Sequence, residues 1–185
     1  MLKVYNVPAA VADPLESWVA GSKILWSYFN HTLGPNFSGK YEVEQNKYIV
    51  RDLPRLTHLF YPNSPNSEQD KKFVTPLIRW IQGNILPGYI PRRVMGNLTV
   101  QTNEASKFLN IPHVDSEDPN KFTFLYYVNN SDGRTVFFED KKISFEAEPI
   151  KGTGVLFRSN TIHAGQIPEI NNTRYVINII LGKRD

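Results

Sequence analysis

The chain has 185 residues, of which 41% are hydrophobic and 21% charged, a composition typical of a globular domain rather than of a disordered segment. Because there is no cysteine, disulfides and thiolate metal sites are excluded, and any metal must be held by His, Asp or Glu. The net charge of +3 is spread over scattered lysines and arginines, which argues against a nucleic-acid partner.

The length predicts a single domain over residues 1–185. No run of apolar residues approaches the roughly eighteen that a membrane span needs, and the N-terminus lacks the apolar core of a secretory signal. Together with the absence of cysteine, these features predict a protein of the reducing cytoplasmic compartment, with no membrane partner.

The first ninety residues predict two helices joined by irregular segments. Asp13, followed by Pro14 and Glu16, is typical of a helix start. Apolar residues at helical spacing extend the predicted first helix to Phe29, and Gly34-Pro35 is expected to end it. These residues are Leu15, Trp18, Val19, Leu25, Trp26 and Phe29.

The next segment, residues 35–66, contains several prolines and is expected to be irregular, with one strand at 47–51. Ser67 can cap a second helix that Gly83-Asn84 ends. Pro76 should either kink this helix or mark its true start. We expect the two helices to pack against one sheet, so that residues 1–90 form a helical buttress.

After residue 90 the pattern predicts β structure. Short runs rich in β-branched and aromatic residues alternate with turn residues, which favours a sandwich or barrel over residues 91–185. The predicted strands are residues 94–101, 122–129, 135–139, 143–145, 154–157 and 175–181.

Three side chains in this β region form a candidate metal site. His113 and Asp115 are two residues apart and would point to the same side of a strand, and His163 could join them from another strand. Two imidazoles and a carboxylate are the ligands of a non-haem Fe(II) facial triad. The alternatives are a surface His-Asp pair near a turn and a hydrogen-bonded core histidine. His31 and His58 have no comparable neighbours and are predicted to be structural.

Two further residues could bind an anion near that site. Arg174 opens the last predicted strand, and a buried arginine is unfavourable unless it meets an anion such as the far carboxylate of a dicarboxylate co-substrate. Tyr127, on the inward face of its strand, could donate to the same carboxylate. The alternatives are a surface arginine after the Asn171-Asn172 turn and an ordinary core tyrosine.

The segment from His113 to Leu181 resembles the Fe(II)/2-oxoglutarate-dependent dioxygenases, most closely the prolyl 4-hydroxylase branch. The resemblance lies in an ordered set of motifs rather than in any one of them. In chain order, the matching residues are His113-Val114-Asp115; Thr123, Tyr127, Val128 and Asn129; Gly133, Thr135 and Phe137; Gly152 or Gly154, Val155 and Phe157; His163-Ala164-Gly165; and Thr173-Arg174-Tyr175-Val176-Ile177.

The resemblance implies a mainly β fold, a double-stranded β-helix (jelly roll) buttressed by the N-terminal helices. It implies Fe(II) on His113, Asp115 and His163, and the distal carboxylate of 2-oxoglutarate on Arg174 assisted by Tyr127. The implied cofactors are Fe(II), 2-oxoglutarate and O2, with ascorbate as an additional reductant. The implied reaction is hydroxylation of a C–H bond, coupled to decarboxylation of 2-oxoglutarate to succinate.

The sequence departs from the family pattern at several positions. Val176 stands where some relatives carry Ser or Thr, so Tyr127 or Thr123 would supply the second contact to 2-oxoglutarate. Asn178 shares the inward face of Arg174 and should have a polar partner. The strand before His113-Val114-Asp115 has no tyrosine that could contact the C1 end of 2-oxoglutarate. Gln101 or Asn103 is the expected substitute.

We expect a hydroxylase, because the triad acid is present where halogenases of this class carry a small residue. By resemblance, its substrate is a protein or peptide, prolyl in the first instance. The alternatives are the same chemistry on a small molecule or nucleobase, a non-catalytic jelly-roll module, and a cupin-type enzyme that does not use 2-oxoglutarate. Residues 52–70 and 102–112 are candidate loops for gating the substrate.

Overall fold

A computed structural model of the chain describes residues 2–21, 24–30, 48–62, 67–102 and 108–184. It contains two helices and twelve strands in these ranges. In chain order they are β1 Leu2–Asn6, α1 Ala9–Val19, β2 Ser27–Phe29, β3 Ile49–Val50, β4 Arg55–Tyr61, α2 Ser67–Asn84, β5 Tyr89–Val100, β6 Phe108–Leu109, β7 Phe122–Tyr127, β8 Thr135–Glu139, β9 Lys142–Ala147, β10 Thr153–Arg158, β11 His163–Gly165 and β12 Thr173–Lys183.

The strands form two main sheets. The large sheet has seven strands in the order β1-β10-β7-β12-β5-β4-β2, and the small sheet has three in the order β11-β8-β9. Every strand pair within these two sheets is antiparallel, whereas β3 and β6 form a separate parallel pair. Neighbours in the large sheet are distant in sequence, as in a jelly roll. The predicted fold class is confirmed.

The two faces of the large sheet have different partners. On one face, α1 and α2 cover Phe124, Tyr126, Ile177 and Ile179, all of them buried. On the other face, Leu125, Tyr127, Val155, Phe157 and Val176 pack against Phe137 of the small sheet. Because successive strand residues alternate between faces, β7 and β12 each contribute to both layers. The space between the two sheets is where the candidate site residues converge.

The first helix differs from the prediction. It begins at Ala9, four residues before the expected cap at Asp13, with the Pro8 carbonyl accepting from Val11 and Ala12. It ends at Val19, and the aromatic residues expected to continue it lie partly in β2 instead. The expected stop at Gly34-Pro35 lies outside the described residues. The error arose because aromatic spacing over 25–29 fits both a helix and a short strand.

The second helix spans Ser67 to Asn84, as predicted, and Pro76 lies inside it. The prediction that residues 35–66 are irregular is wrong for the seven-residue strand β4, which lies between Pro54 and Pro62. Of the expected strand 47–51, the described part forms the two-residue β3.

His58 of β4 and Asp70 of α2 form a buried polar pair on the helical side of the large sheet. His58 Nε2 lies 2.9 Å from Asp70 Oδ2, and His58 Nδ1 lies 2.9 Å from the Leu25 carbonyl oxygen. The side chains of His58 and Asp70 are 1% and 0% exposed. This pair ties α2 to the sheet, in line with the structural role predicted for His58, whereas His31 lies outside the described residues.

Neither helix in the described ranges is long and apolar enough to cross a membrane.

Candidate active site

His113, Asp115 and His163 converge at one end of the space between the sheets. One ligand atom of each lies within 4.8 Å of the others. His113 and His163 form an isolated antiparallel bridge, in which each backbone N–H donates to the other's carbonyl at 2.9 and 3.0 Å. The Asp115 backbone N–H donates to the Ser159 carbonyl at 2.9 Å. The backbone therefore holds all three side chains at one point, although His113 and Asp115 lie in a loop and not on the predicted strand.

Both histidines present Nε2 to that point. His113 Nδ1 donates to the Ile111 carbonyl and His163 Nδ1 to the Thr161 carbonyl, each at 3.0 Å. A carbonyl oxygen can only accept, so each Nδ1 carries a proton, and in the neutral ring each Nε2 keeps a free lone pair. This arrangement fixes the tautomer that a metal ligand needs.

The Asp115 carboxylate is held by two side chains from the large sheet. Thr123 Oγ1 donates to Oδ2 at 2.9 Å, and Asn178 Nδ2 lies 2.9 and 3.0 Å from the two oxygens. Ser159 contacts Thr123 Oγ1 at 3.0 Å. Asp115 is only 3% exposed, so these contacts set the orientation of its carboxylate.

Electrostatics keep His113 and Asp115 in the protonation states of metal ligands. Burial, and then the proximity of His163, lower the pKa of His113 to about 4. Burial alone would raise the pKa of Asp115, but the two imidazoles and the hydrogen bonds from Asn178 and Thr123 outweigh it and lower that pKa. A neutral imidazole thus lies beside an ionised carboxylate at neutral pH.

Arg174 lines a cavity between the sheets that His113 and His163 also line, and it is 4% exposed. Burial lowers the pKa of its guanidinium, which nevertheless stays charged. Within the ranges that the structure describes, no carboxylate lies within 4 Å of it, and its Nε is buried without a hydrogen-bond partner. The cavity that joins this guanidinium to the triad is lined by Arg55, Asn97, Thr99, Asn110, His113, Leu125, Thr135, His163, Gly165, Arg174, Val176 and Asn178.

Two glycines make room for Arg174. A Cβ at Gly165, which shares the face of His163 on β11, would lie 3.3 Å from Arg174 Nη1. A Cβ at Gly133 would lie 3.0 Å from Arg174 Cδ and 2.7 Å from the Gln166 carbonyl oxygen. These motif glycines therefore leave space for the guanidinium between the sheets.

Thr135 connects Arg174 with Tyr127, a contact that sequence reasoning missed. Arg174 Nη2 donates to Thr135 Oγ1 at 2.7 Å, and the Tyr127 hydroxyl donates to the same oxygen at 2.8 Å. Burial raises the pKa of Tyr127, which keeps it a neutral donor. With both lone pairs of Thr135 Oγ1 engaged, its own proton is free to point into the cavity. Thr135 could have been suspected, since it is one of the residues, with Gly133 and Phe137, that match the family motifs.

Several predicted co-substrate contacts lie elsewhere. Thr123 holds Asp115 rather than an anion near Arg174, and Tyr127 reaches the cavity through Thr135. Asn178 lines the cavity, but its amide donates to Asp115. The Gln101 side chain donates to the Glu169 carbonyl on the surface, away from the cavity.

Asn103 lies outside the described residues, as does part of each candidate gating loop. On β5, the long strand before His113, Asn97 and Thr99 line the cavity instead of Gln101. Arg55 lines it too, from a strand that the sequence did not predict.

The sequence of the β region matches a known family. Residues 100–182 match the family model of the 2OG-Fe(II) oxygenase superfamily. The matched segment runs from the end of β5 into β12 and contains His113, Asp115, His163 and Arg174. The match supports the predicted oxidoreductase with iron as cofactor and 2-oxoglutarate as co-substrate. No curated protein sequence matches the chain.

Solved structures of oxygenases share the fold. A prolyl hydroxylase from Trichoplax adhaerens, in complex with a hypoxia inducible factor peptide fragment, has a TM-score of 0.62 at 15% identity, over 98% of this chain and 83% of its own. A 2OG-Fe(II) oxygenase family oxidoreductase from Burkholderia pseudomallei has a TM-score of 0.64 at 12% identity, over 98% and 86%. The epimerase SnoN, in complex with Fe3+, alpha ketoglutarate and nogalamycin RO, has a TM-score of 0.60 at 10% identity, over 97% and 78%.

Proposed function

We propose that His113, Asp115 and His163 bind Fe(II), and that Arg174 binds the distal carboxylate of 2-oxoglutarate. One observation carries this proposal: a buried guanidinium without a carboxylate partner in the described residues faces the same cavity as the triad. A buried charge is costly unless an opposite charge meets it. A dicarboxylate that reaches from the triad to Arg174 would supply that charge.

The donor set supports iron. Two neutral imidazole nitrogens and one carboxylate oxygen form the two-histidine, one-carboxylate facial set, which leaves positions open for other ligands. The absence of thiolates argues against a structural zinc site. Bound iron and 2-oxoglutarate would supply the activation of oxygen.

The side chains around the cavity hold these groups in place. Thr123 and Asn178 fix the Asp115 carboxylate, and ligand contacts of this kind support metal affinity. At the far end, Thr135 would donate its remaining proton to the distal carboxylate beside Arg174. Leu125 and Val176 give the cavity apolar walls that exclude water between the two ends.

We infer that the reaction is hydroxylation of a C–H bond, coupled to decarboxylation of 2-oxoglutarate to succinate and CO2. We favour a protein or peptide substrate that is hydroxylated at a prolyl residue. Two observations support this choice: the motif resemblance and the likeness to the Trichoplax prolyl hydroxylase. The likeness to SnoN, whose complex holds nogalamycin RO, makes a small molecule the second candidate.

We also propose that residues 1–185 form one domain, since α1 and α2 pack directly on the large sheet.

Anaerobic titration of the protein with Fe(II) and then 2-oxoglutarate tests the proposal. A metal-to-ligand charge-transfer band should appear only when both are present, because 2-oxoglutarate must chelate the iron to produce it. Aerobic incubation of the same mixture should release succinate slowly without added substrate. If Fe(II) binds but 2-oxoglutarate produces no band, the proposed site is contradicted.

Replacing Arg174 with glutamine should raise the KM for 2-oxoglutarate about a hundredfold, since removing one partner of a buried charge pair costs about 3 kcal/mol. Steady-state release of succinate at varied 2-oxoglutarate measures this change. Arg158→Gln is the matched control, because Arg158 lies over the Phe122 ring at the surface. If both variants have the wild-type KM, the anchor is misassigned.

Replacing Thr135 with valine should raise the KM for 2-oxoglutarate about tenfold, since it removes a hydrogen bond to a charged group at nearly constant volume. Fe(II) affinity, measured in the anaerobic titration, should remain unchanged because Thr135 does not contact the triad. Weakened Fe(II) binding with an unaltered KM would place Thr135 at the wrong end of the cavity.

A further inference from the structure

Two further arginines, Arg55 and Arg93, lie near the triad in addition to Arg174. Arg55 comes from β4 and Arg93 from β5, neighbouring strands of the large sheet. Together they line a second cavity beside the metal ligands. Its lining residues are Arg55, Arg93, Met95, Asn97, His113, Val114, Asp115 and Asn178.

These two guanidiniums have few partners. Arg93 Nη2 lies 3.6 Å from Asp115 Oδ1, beyond hydrogen-bond distance. No carboxylate of the described ranges lies within 4 Å of Arg55. The Nε atoms of Arg55 and Arg93 are both buried without a hydrogen-bond partner, as is the Asn97 side-chain oxygen.

Two guanidinium groups and one carboxylate line this cavity. Burial, and then the repulsion of Arg93, lower the pKa of Arg55, whereas the attraction of Asp52 and Asp115 opposes this shift. Asp115 is the only carboxylate among the residues that line this cavity, and in the proposed function it also binds a divalent cation. A bound metal therefore adds positive charge where two guanidiniums already meet. An anion between them would offset this repulsion.

Access to this cavity differs from access to Arg174. The Arg93 side chain is 38% exposed, whereas Arg174 is 4% exposed between the sheets. An anion could therefore approach Arg93 from solvent while 2-oxoglutarate occupies the enclosed end. Planar guanidinium groups match carboxylate oxygens in a fork-like geometry.

We propose that Arg55 and Arg93 bind a carboxylate of the substrate that is oxidised, and so select acidic substrates and orient them at the metal. This inference rests on the proposed function, because it needs a metal at the triad and 2-oxoglutarate at Arg174. The C1 carboxylate of 2-oxoglutarate has the same chemistry, and the experiment below separates these two sources.

Acetate serves as the probe, and acetamide is its neutral counterpart of the same shape. The protein is loaded with Mn(II), saturated with 2-oxoglutarate and titrated with either compound, while paramagnetic relaxation of the methyl protons reports binding near the metal. Acetate should bind saturably and acetamide should not. Arg55→Gln and Arg93→Gln should each weaken acetate binding about tenfold, the effect of losing a charge-assisted hydrogen bond.

Arg79→Gln is the matched control, because Arg79 is an exposed arginine on α2, beyond the opposite face of the sheet. It should leave acetate binding at the wild-type value. Unchanged acetate binding in Arg55→Gln would overturn the inference, since acetate would then bind the metal or another site. A raised dissociation constant for 2-oxoglutarate in Arg55→Gln, measured from the anaerobic charge-transfer band, would also overturn it by assigning Arg55 to the C1 end.

The same titrations distinguish this inference from the proposed function. A wild-type protein without the charge-transfer band contradicts the proposed function and the inference with it. A wild-type protein with the band, but with equal responses to acetate and acetamide, contradicts the inference alone.

Discussion

Alanine in place of Asp115 is expected to abolish Fe(II) binding and the release of succinate from 2-oxoglutarate. The substitution removes the one carboxylate of the triad and leaves Thr123 and Asn178 without their acceptor. His163→Ala should have the same outcome, because His163 Nε2 lies 3.7 Å from Asp115 Oδ2 and faces the same point. Both losses are measurable by anaerobic Fe(II) titration and by succinate assay.

Asp118→Ala provides the matched control for Asp115→Ala. Asp118 lies three residues further along the same loop, and its carboxylate is 41% exposed and paired at 3.5 Å with Lys121. The control variant should keep wild-type Fe(II) affinity and turnover. If Asp115→Ala, folded as judged by circular dichroism, binds Fe(II) as tightly as Asp118→Ala, the triad assignment is wrong.

Strand periodicity predicted which residues face the cavity, but not how far along it they lie. Thr123 and Tyr127 share the inward face of β7, and the sequence placed both near Arg174. In the register between β7 and β12, however, Thr123 pairs with Ile180 and Tyr127 with Val176. Thr123 therefore lies toward the metal end. A two-residue period fixes the face of a side chain, whereas position along the strand depends on pairing with a distant segment.

Arg55 was missed for a related reason. It starts β4, which lies between Pro54 and Pro62, and proline signals usually indicate loops. The strand forms because it pairs with β5, where Leu56 lies opposite Leu98, and because His58 is fixed by Asp70 of α2. The family motifs start at His113, so neither they nor the local pattern could have placed Arg55 at the site.

Phenylalanine in place of His58 is expected to lower the free energy of unfolding by about 1.5–3 kcal/mol, because the buried Asp70 carboxyl group loses its hydrogen bond to the imidazole. The Leu25 carbonyl oxygen can only accept, so His58 Nδ1 must donate to it, and His58 Nε2 faces the Asp70 carboxylate. Phenylalanine fills a similar volume but provides neither donor, so Asp70, 0% exposed, loses its imidazole partner.

Urea unfolding measures this loss as a lower midpoint at an unchanged m-value. Glu68→Gln is the control on the same helix, because Glu68 forms an exposed ion pair with Lys71, and such a pair contributes about 0–1 kcal/mol. The double variant His58→Phe with Asp70→Leu should recover part of the stability, since it removes the buried carboxyl group together with its partner. If His58→Phe unfolds at the same urea concentration as Glu68→Gln, the pair contributes no more than a surface contact, and apolar packing alone holds α2 on the sheet.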